Sequence, residues 1–272
     1  MPELPEVETI RRDLVPKVVG RSIRQASILT PRLTRRAGTP ASVAAGLIGR
    51  RIRALLRRGK FFQFDLGETS LIVRLGMTGQ LRWWRDRESC QGDEHTHAFL
   101  HFDEGGVLTY RDVRKFGELF LVPTEAVEAA LRVGPEPLED AFSVGALRRI
   151  CQSGARVKSV LLDQRKIAGL GNIYADEALF RAKIRPTRRA ASLSEEELRA
   201  LRGAIRFVLA AAIRQRGSSI SDFRDPCGEP GGFAPRHRVY QCHGTPCRVC
   251  GTAIRRILVA QRGTHFCPTC QR

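Results

Sequence analysis

The sequence predicts an α+β protein with an N-terminal β-sandwich preceded by a helix, a helical domain, and a C-terminal β-hairpin that carries four cysteines. Three observations support this prediction. Short apolar segments alternate with turn residues from about Ser22 to Val122, as in a sandwich or barrel. Apolar residues then recur with a helical period. Two Cys-x2-Cys pairs lie near the end of the chain.

The composition indicates a nucleic-acid-binding protein. The 272 residues include 46 Lys and Arg against 28 acids, a formal charge of +18, which favours a polyanionic partner. An anionic membrane is the weaker alternative, because the longest apolar run, Phe207–Ile213, is far shorter than the ~20 residues of a membrane span. The acidic N-terminus has no apolar segment typical of a signal peptide. We therefore expect an intracellular, cytoplasmic protein whose eight cysteines favour metal binding over disulfides.

The first residues allow two interpretations. Apolar residues recur at helical spacing over Val7–Leu14, and Pro5 suits the first turn of a helix. Removal of Met1 would leave Pro2 as a terminal amine; such amines ordinarily have a pKa of about 7.7–8 and are partly neutral near neutral pH. A neutral amine of this kind can form a Schiff base with a carbonyl-like carbon. The simpler alternative, which these residues alone favour, is that Pro2 only protects the terminus.

Strand pairs are predicted around two turns. Phe61–Leu66 and Leu71–Val73 flank the turn Gly67–Glu68. His97–Phe102 and Val107–Tyr110 flank a second turn of acids and glycines. Pairs at this spacing predict a sandwich or a barrel.

Helices are predicted beyond a linker at Gly134–Pro137. Ala146–Cys151 and Lys158–Asp163 form short helices, and Ser194 caps a long helix that runs to about Arg214. Residues 217–238 are rich in glycine and proline and form a loop of functional length.

The spacing of the last four cysteines predicts a structural zinc site. Four thiolates in two Cys-x2-Cys pairs suit one tetrahedral zinc ion and leave no position for water. The ligands are Cys247, Cys250, Cys267 and Cys270. Gln261–Gly263 is predicted to form the turn of the intervening hairpin, with Arg262 at its tip. Arg262 either contacts a target or is an ordinary surface arginine.

A glycine-rich turn precedes another predicted helix. Gly169–Gly171 permits a tight turn, and Asn172 is a good N-cap, so free backbone N–H groups could bind a phosphate. A dinucleotide fingerprint does not fit, because Tyr174 stands at the third glycine position. An ordinary interhelical turn remains the alternative.

Together these segments resemble the formamidopyrimidine-DNA glycosylase family of base-excision repair enzymes. The matching segments are Pro2–Thr9, Arg58–Phe61, Leu75–Gly79, Asp112–Gly117, Gly134–Leu138, Lys158–Glu177 and the zinc hairpin with Gln261–Arg262. The resemblance implies a catalytic β-sandwich domain at residues 1–123, a helix–two-turn–helix DNA-binding domain at 135–223 and a zinc finger at 243–272. Leu4 and Val7–Thr9 are more similar to the purine-lesion branch than to the endonuclease VIII-like branch.

The resemblance implies a bifunctional DNA glycosylase and AP lyase that excises oxidised purines such as 8-oxoguanine and formamidopyrimidines. Pro2 would attack C1′ of the damaged nucleotide, and Glu3 would protonate the sugar-ring oxygen. Lys60 would donate a proton in β-elimination. Arg262 would act in δ-elimination, where we expect a phosphate-binding role because arginine is a poor acid. Glu6 would support Glu3 or simply be an acid favoured in a first helical turn.

Further DNA contacts are implied by the resemblance. Met77, Arg114 and Phe116 would fill the gap left by the extruded nucleotide, although without the resemblance Met77 and Phe116 are interpreted as core residues. The implied contacts to the DNA backbone are His95, Lys158 and Asn172. The implied partner is double-stranded DNA with oxidised bases or abasic sites, bound by a monomer in the cleft between domains.

The sequence departs from the family at several positions: Arg74, Val113, Ser153–Arg156, Gly232 and Gln241–Cys242. Those near the loop 217–238 leave the preferred lesion open. One alternative is the same chemistry on oxidised pyrimidines. Others are a protein that binds damaged DNA without cleaving it, and a zinc-ribbon RNA-binding protein, although the latter does not account for the N-terminus.

Overall fold

The computed structural model describes residues 2–36, 38–220 and 223–272. The chain forms two compact units. The first contains residues 1–132 and 216–232, and the second contains residues 133–215 and 233–272. Part of the predicted loop therefore packs with the first unit.

The first unit is the predicted β-sandwich with its N-terminal helix. Its antiparallel sheets have the strand orders β1-β6-β7-β5 and β2-β3-β4-β8. The helices are α1 (Leu4–Val18), α2 (Pro40–Leu47) and α3 (Val127–Leu131). The strands are β1 (Ile23–Ile28), β2 (Ala54–Arg58), β3 (Phe61–Asp65), β4 (Thr69–Arg74), β5 (Gly79–Trp84), β6 (Thr96–Phe102), β7 (Val107–Asp112) and β8 (Glu118–Pro123).

Helix α1 packs against the core of the first unit through apolar side chains that recur at helical spacing. Val7, Ile10 and Leu14 are fully buried and join the same cluster as Phe62 and Phe64 of β3. Each such side chain contributes about 1.5–3 kcal/mol through burial. The sheet alternation also holds, because Phe62 and Phe64 point inward while their neighbours are half-exposed. The core thus fixes the helix that carries the N-terminus.

The second unit contains the predicted helices and hairpin. Its helices are α4 (Val144–Cys151), α5 (Val157–Leu162), α6 (Asn172–Arg181) and α7 (Glu195–Arg214), and its strands are β9 (Arg255–Val259) and β10 (Arg262–Phe266). The prediction for α7 is confirmed: Ser194 and Glu197 form a capping box, and the helix ends at Arg214. Within the described residues, no helix combines the length and apolar character needed to cross a membrane.

Several element boundaries differ from the predictions by one or two residues, and two of these differences concern predicted site residues. The hairpin turn consists of Ala260 and Gln261, which have φ values of 51° and 59°, as in a two-residue hairpin turn. Arg262 is therefore the first residue of β10 and not part of the turn. The predicted N-cap was also wrong, because Gly171 is the N-cap of α6 and Asn172 is its first helical residue. The side chain of Asn172 is free for a contact outside its own helix.

Stability should depend on His237, which is buried in the second unit against Phe233 and Tyr240. Burial lowers the pKa of His237 to about 4. Below about pH 6.5 the unfolded chain binds a proton that the folded chain excludes until about pH 4, so acid should remove about 3 kcal/mol of stability across this window. Urea unfolding at several pH values measures this loss. In His237→Gln the free energy of unfolding should change less with pH. Identical changes with pH in both proteins would contradict the assignment of this loss to His237.

Candidate active site and nucleic-acid interface

The predicted catalytic pair lies at a tightly held N-terminus. Pro2 and Glu3 are buried, and Glu3 is the N-cap of α1. The carboxylate of Glu6 is fully buried; its Oε2 accepts a hydrogen bond from the Glu3 N–H at 2.8 Å, and its Oε1 accepts one from the Ser218 N–H at 2.7 Å. Gly217, at φ 79°, passes so close that a Cβ there would lie 2.7 Å from Glu6 Oε1. Glu6 thus joins the terminus to the segment 216–232.

An ion-pair network connects α1 to the turn that carries Lys60. Glu8 contacts Arg11, Arg12 and Arg57 at 2.8–3.1 Å. Burial alone would raise the pKa of Glu8, but the arginine hydrogen bonds and charges lower it to about 2. Arg57 also donates to the carbonyl of Gly59 at 3.2 Å. The half-buried Lys60 follows that carbonyl directly, so its backbone is held relative to the helix of Pro2 and Glu3.

The predicted gap-filling residues lie on two loops of the first unit that meet through Asp112. This carboxylate is fully buried and accepts hydrogen bonds from Thr78 Oγ1 at 2.6 Å and from the Gly117 N–H at 2.8 Å. Asp112 was not predicted; its one sequence signal is an acid at the end of a strand, within a segment that matches the family. Its hydrogen bonds hold the turn of Met77 beside the loop of Arg114 and Phe116.

The exposure of Phe116 and Met77 argues against their being core residues. Phe116 is 37% exposed, and the Arg114 guanidinium lies 4.7 Å from the centre of its ring. Met77 is half-buried within a turn. The carbonyl of His95 accepts a hydrogen bond from the Asp112 N–H at 2.9 Å, so His95 belongs to the same surface. A bulky exposed ring beside a guanidinium suits stacking on bases better than interior packing.

Two of the departures from the family lie beside these loops. Arg74 donates to Glu118 Oε2 at 3.1 Å. Burial would raise the pKa of Glu118, but Arg74 and its neighbouring arginines lower it. Part of the cationic charge of Arg74 is therefore engaged within the sheet. Val113 is 45% exposed. It lacks the restriction on the backbone φ angle that a proline at this position would impose.

In the second unit, buried polar groups attach β10 to α6. Lys158 is fully buried; its Nζ lies 2.6 Å from Asp176 Oδ1 and donates to Thr264 Oγ1 at 2.8 Å. Asp176 Oδ2 accepts from the His265 N–H at 2.8 Å. Asn172 Nδ2 donates to the Gly263 carbonyl at 3.0 Å. The strand is thus held at three successive residues.

This arrangement changes the interpretation of Lys158 and Arg262. The Lys158 ammonium is enclosed by protein, so its predicted contact with DNA stays a prediction that this burial does not favour. Arg262, by contrast, is exposed. It directly precedes Gly263, to whose carbonyl both Lys158 and Asn172 donate. The hairpin therefore presents an exposed guanidinium from a fixed strand.

The four predicted zinc ligands converge. The Sγ atoms of Cys247, Cys250, Cys267 and Cys270 all lie within 4.8 Å of one another. The pairs Cys247–Cys270 and Cys250–Cys267 are 3.9 and 3.4 Å apart, close to the spacing of about 3.8 Å that tetrahedral Zn–S bonds of about 2.3 Å produce. Two sulfurs also accept backbone N–H groups, from Val249 and Cys270. The donor set fits one structural zinc ion with no open position.

Family models match three segments of the chain. Residues 1–119 match the N-terminal domain of formamidopyrimidine-DNA glycosylase, residues 133–224 its H2TH domain, and residues 244–272 a zinc finger found in FPG and IleRS.

Individual relatives match over the full chain. A formamidopyrimidine-DNA glycosylase of Thermus thermophilus is 48% identical over 278 residues, which cover 100% of this chain and 98% of the relative. A Lactococcus lactis Fpg in complex with abasic-site DNA is 37% identical with a TM-score of 0.92, covering 99% of both chains. The wild-type L. lactis Fpg with DNA that contains an oxidised pyrimidine is also 37% identical, with a TM-score of 0.91 and complete coverage of both chains.

Purified protein should contain one zinc ion per chain. Cys250→Ser should lose most of this zinc and lower the melting temperature, because three thiolates bind the ion less tightly and the hairpin depends on it. Metal analysis and thermal unfolding measure both effects. Cys227→Ser, another exposed thiol, is the matched control and should keep its zinc. A full zinc content in Cys250→Ser would contradict the ligand assignment.

Proposed function

The chain belongs to the formamidopyrimidine-DNA glycosylase family, and from this premise we propose that it is a bifunctional DNA glycosylase and AP lyase of base-excision repair. Its substrate is double-stranded DNA that contains oxidised purines or abasic sites. The observation that carries the proposal is the buried Pro2–Glu3 terminus held by Glu6. A protein that only bound damaged DNA would need neither a nucleophilic terminus nor a carboxylate beside it.

In the proposed reaction, the Pro2 nitrogen attacks C1′ while Glu3 protonates the ring oxygen. The C1′–base bond breaks, the base takes the bonding electrons and a proton, and the opened sugar forms a Schiff base with Pro2. β-Elimination then removes a proton from C2′ and breaks the bond from C3′ to its phosphate oxygen, with Lys60 donating a proton to the departing phosphate. δ-Elimination removes a proton from C4′ and breaks the bond from C5′ to its phosphate oxygen, and Arg262 stabilises the negative charge on the departing phosphate. Met1 must be removed for Pro2 to react.

The proposed DNA contacts combine stacking and phosphate binding. Met77, Arg114 and Phe116 fill the gap left by the extruded nucleotide, with Arg114 donating hydrogen bonds to the unpaired base. His95 and Asn172 contact the DNA backbone. The charge of +18 adds a nonspecific attraction to DNA. For Lys158 we propose a positioning role, because its ammonium holds Gly263 and Thr264 next to Arg262.

The domain division and cellular context follow from the same proposal. Residues 1–123 form the catalytic domain, 135–223 the DNA-binding domain and 243–272 the zinc finger, although residues 216–223 belong to the same compact unit as the catalytic domain. The protein acts as a monomer inside the cell, on nucleoid DNA.

Oxidised pyrimidines are a second candidate substrate class. A structural relative is named for a complex with DNA that contains an oxidised pyrimidine. In this chain, Gly232 and Gln241–Cys242 replace residues typical of the family near the loop 217–238. Both observations concern recognition of the base and not the chemistry at C1′.

Strand cleavage of matched duplexes tests the proposal. Duplexes with one 8-oxoguanine, one formamidopyrimidine or one thymine glycol should be cut, the purine lesions at least about tenfold faster, a difference of about 1.4 kcal/mol. Lys60→Ala should slow strand cleavage more than base release, because it acts after the glycosidic bond breaks. Lys17→Ala, at the far end of α1, is the control. Binding of all three duplexes without cleavage would refute the enzyme proposal, and faster cutting at thymine glycol would favour pyrimidines.

Arg262 can be tested through the salt dependence of binding. If Arg262 binds a phosphate, Arg262→Ala should lower the slope of log K against log salt by about one phosphate contact. Fluorescence anisotropy with an abasic-site analogue duplex measures the slope. Arg24 is an exposed arginine of β1, and Arg24→Ala should leave the slope unchanged as the control. An unchanged slope in Arg262→Ala would show that the Arg262 guanidinium is only solvated.

A further inference from the structure

The second unit contains a cavity that the proposed chemistry does not use. Its volume is about 590 Å³. The C-terminal halves of α6 and α7 and the segment 233–238 contribute to its walls, together with Arg248 and Val249. Its apolar floor includes Phe180, Val208 and Phe233, which are 8%, 6% and 6% exposed. The opening is therefore a preformed concave surface with an apolar base.

The rim of this cavity is cationic. Six basic residues line it: Arg181, Lys183, Arg214, Arg236, Arg238 and Arg248. Among the residues that the structure describes, none of the six forms an ion pair within 4.0 Å. One acid, Glu177, also lines the cavity, but its carboxylate already accepts the backbone N–H groups of residues 238–240 at 2.9–3.0 Å. Cys270, a predicted zinc ligand, lines the cavity as well, and zinc bound by four thiolates has a net charge of −2. The six cations still outnumber the negative charges beside them.

Apolar side chains remain exposed between these cations. Phe207 of α7 is 49% exposed, and the Arg181 guanidinium lies 3.5 Å from the centre of its ring. Val249 is 70% exposed. Aromatic and arginine side chains together are enriched where proteins bind one another. The surface thus offers both an apolar pocket and positive charge to one ligand.

We propose that this cavity binds a short acidic segment of a partner protein, with one aromatic or large aliphatic side chain seated on the apolar floor. Charge complementarity identifies the occupant, because carboxylates match the six cations while the apolar side chain fills the base. An intact DNA duplex presents phosphates to the cations, but its stacked bases do not enter an apolar cavity of this size. A peptide satisfies both features.

The cavity lies away from the proposed DNA contact on the same helix. Asn172 begins α6, whereas Arg181 ends it and Lys183 follows. The 10 residues of this helix separate the two ends by about 15 Å. A partner segment can therefore occupy the cavity while Asn172 contacts a phosphate. The site would serve recruitment of the protein and not the reaction.

A fluorescein-labelled peptide of four aspartates followed by a C-terminal phenylalanine provides the probe. With the full-length, zinc-loaded protein, anisotropy should give a Kd of roughly 1–100 µM, and replacing the phenylalanine with alanine should weaken it by about tenfold. The double variant Arg236→Glu/Arg248→Glu should weaken binding by at least about tenfold. Phe207→Asp, at an exposed position, should also weaken it.

The matched control reverses two exposed arginines of the first unit. Arg24→Glu/Arg50→Glu makes the same change in net charge and should bind the probe like the wild type. Equal loss in both double variants would overturn the proposal, because it would show only nonspecific attraction. So would a failure to bind the probe at all. Weakened binding of an undamaged duplex in Arg236→Glu/Arg248→Glu, with probe binding retained, would assign the surface to DNA instead.

Discussion

The carboxylate of Glu6 is the constraint on which the proposed reactive end depends. The N-terminal residues of a chain are ordinarily mobile, and the first N–H groups of a helix have no partner within it. Glu6 satisfies one such group, the Glu3 N–H, and at the same time binds the Ser218 N–H across 212 residues of sequence. Because this carboxylate is fully buried, these hydrogen bonds offset part of the cost of removing it from water. The terminus beside it is therefore held in place.

Gly217 shows how closely the segment 216–232 follows that carboxylate. With φ at 79° and no room for a Cβ, this position accepts little other than glycine. The adjacent Arg216 pairs with Asp13 of α1 and with Asp225, which adds a second connection to the helix. The segment thus takes its conformation from α1 and stays with the first unit, although α7 precedes it directly in the chain.

In the second unit, two consecutive acids of α6 have a comparable organising role. Asp176 binds Lys158 and the His265 N–H of β10. Glu177 accepts the N–H groups of residues 238–240. Burial raises the pKa of Glu177, and these N–H groups partly offset the effect. One turn of helix thereby fixes both the strand that presents Arg262 and the segment that leads to the zinc site.

Much of this fold follows from local sequence, since period, capping residues and turn glycines act over a few positions. The strands around Gly67, the capped helix α7 and the zinc spacing were predictable for that reason. The anchoring acids Asp112 and Asp176 were not, because their partners lie up to 89 residues away in sequence. The same limit affects Lys158, whose burial depends on Thr264 of the hairpin. Matching residues to the motifs of a family identifies such positions in the sequence. It does not show which of their side chains face solvent.

We propose that the Pro2 amine, at the terminus held by Glu6, forms the covalent bond to DNA. The most direct measurement is reduction with borohydride during reaction with an abasic-site duplex, followed by proteolysis and mass spectrometry of the adduct. We expect the sugar on the nitrogen of Pro2, and no adduct when that amine is blocked beforehand. An adduct on Lys60, or persistent trapping after the terminus is blocked, would contradict the claim.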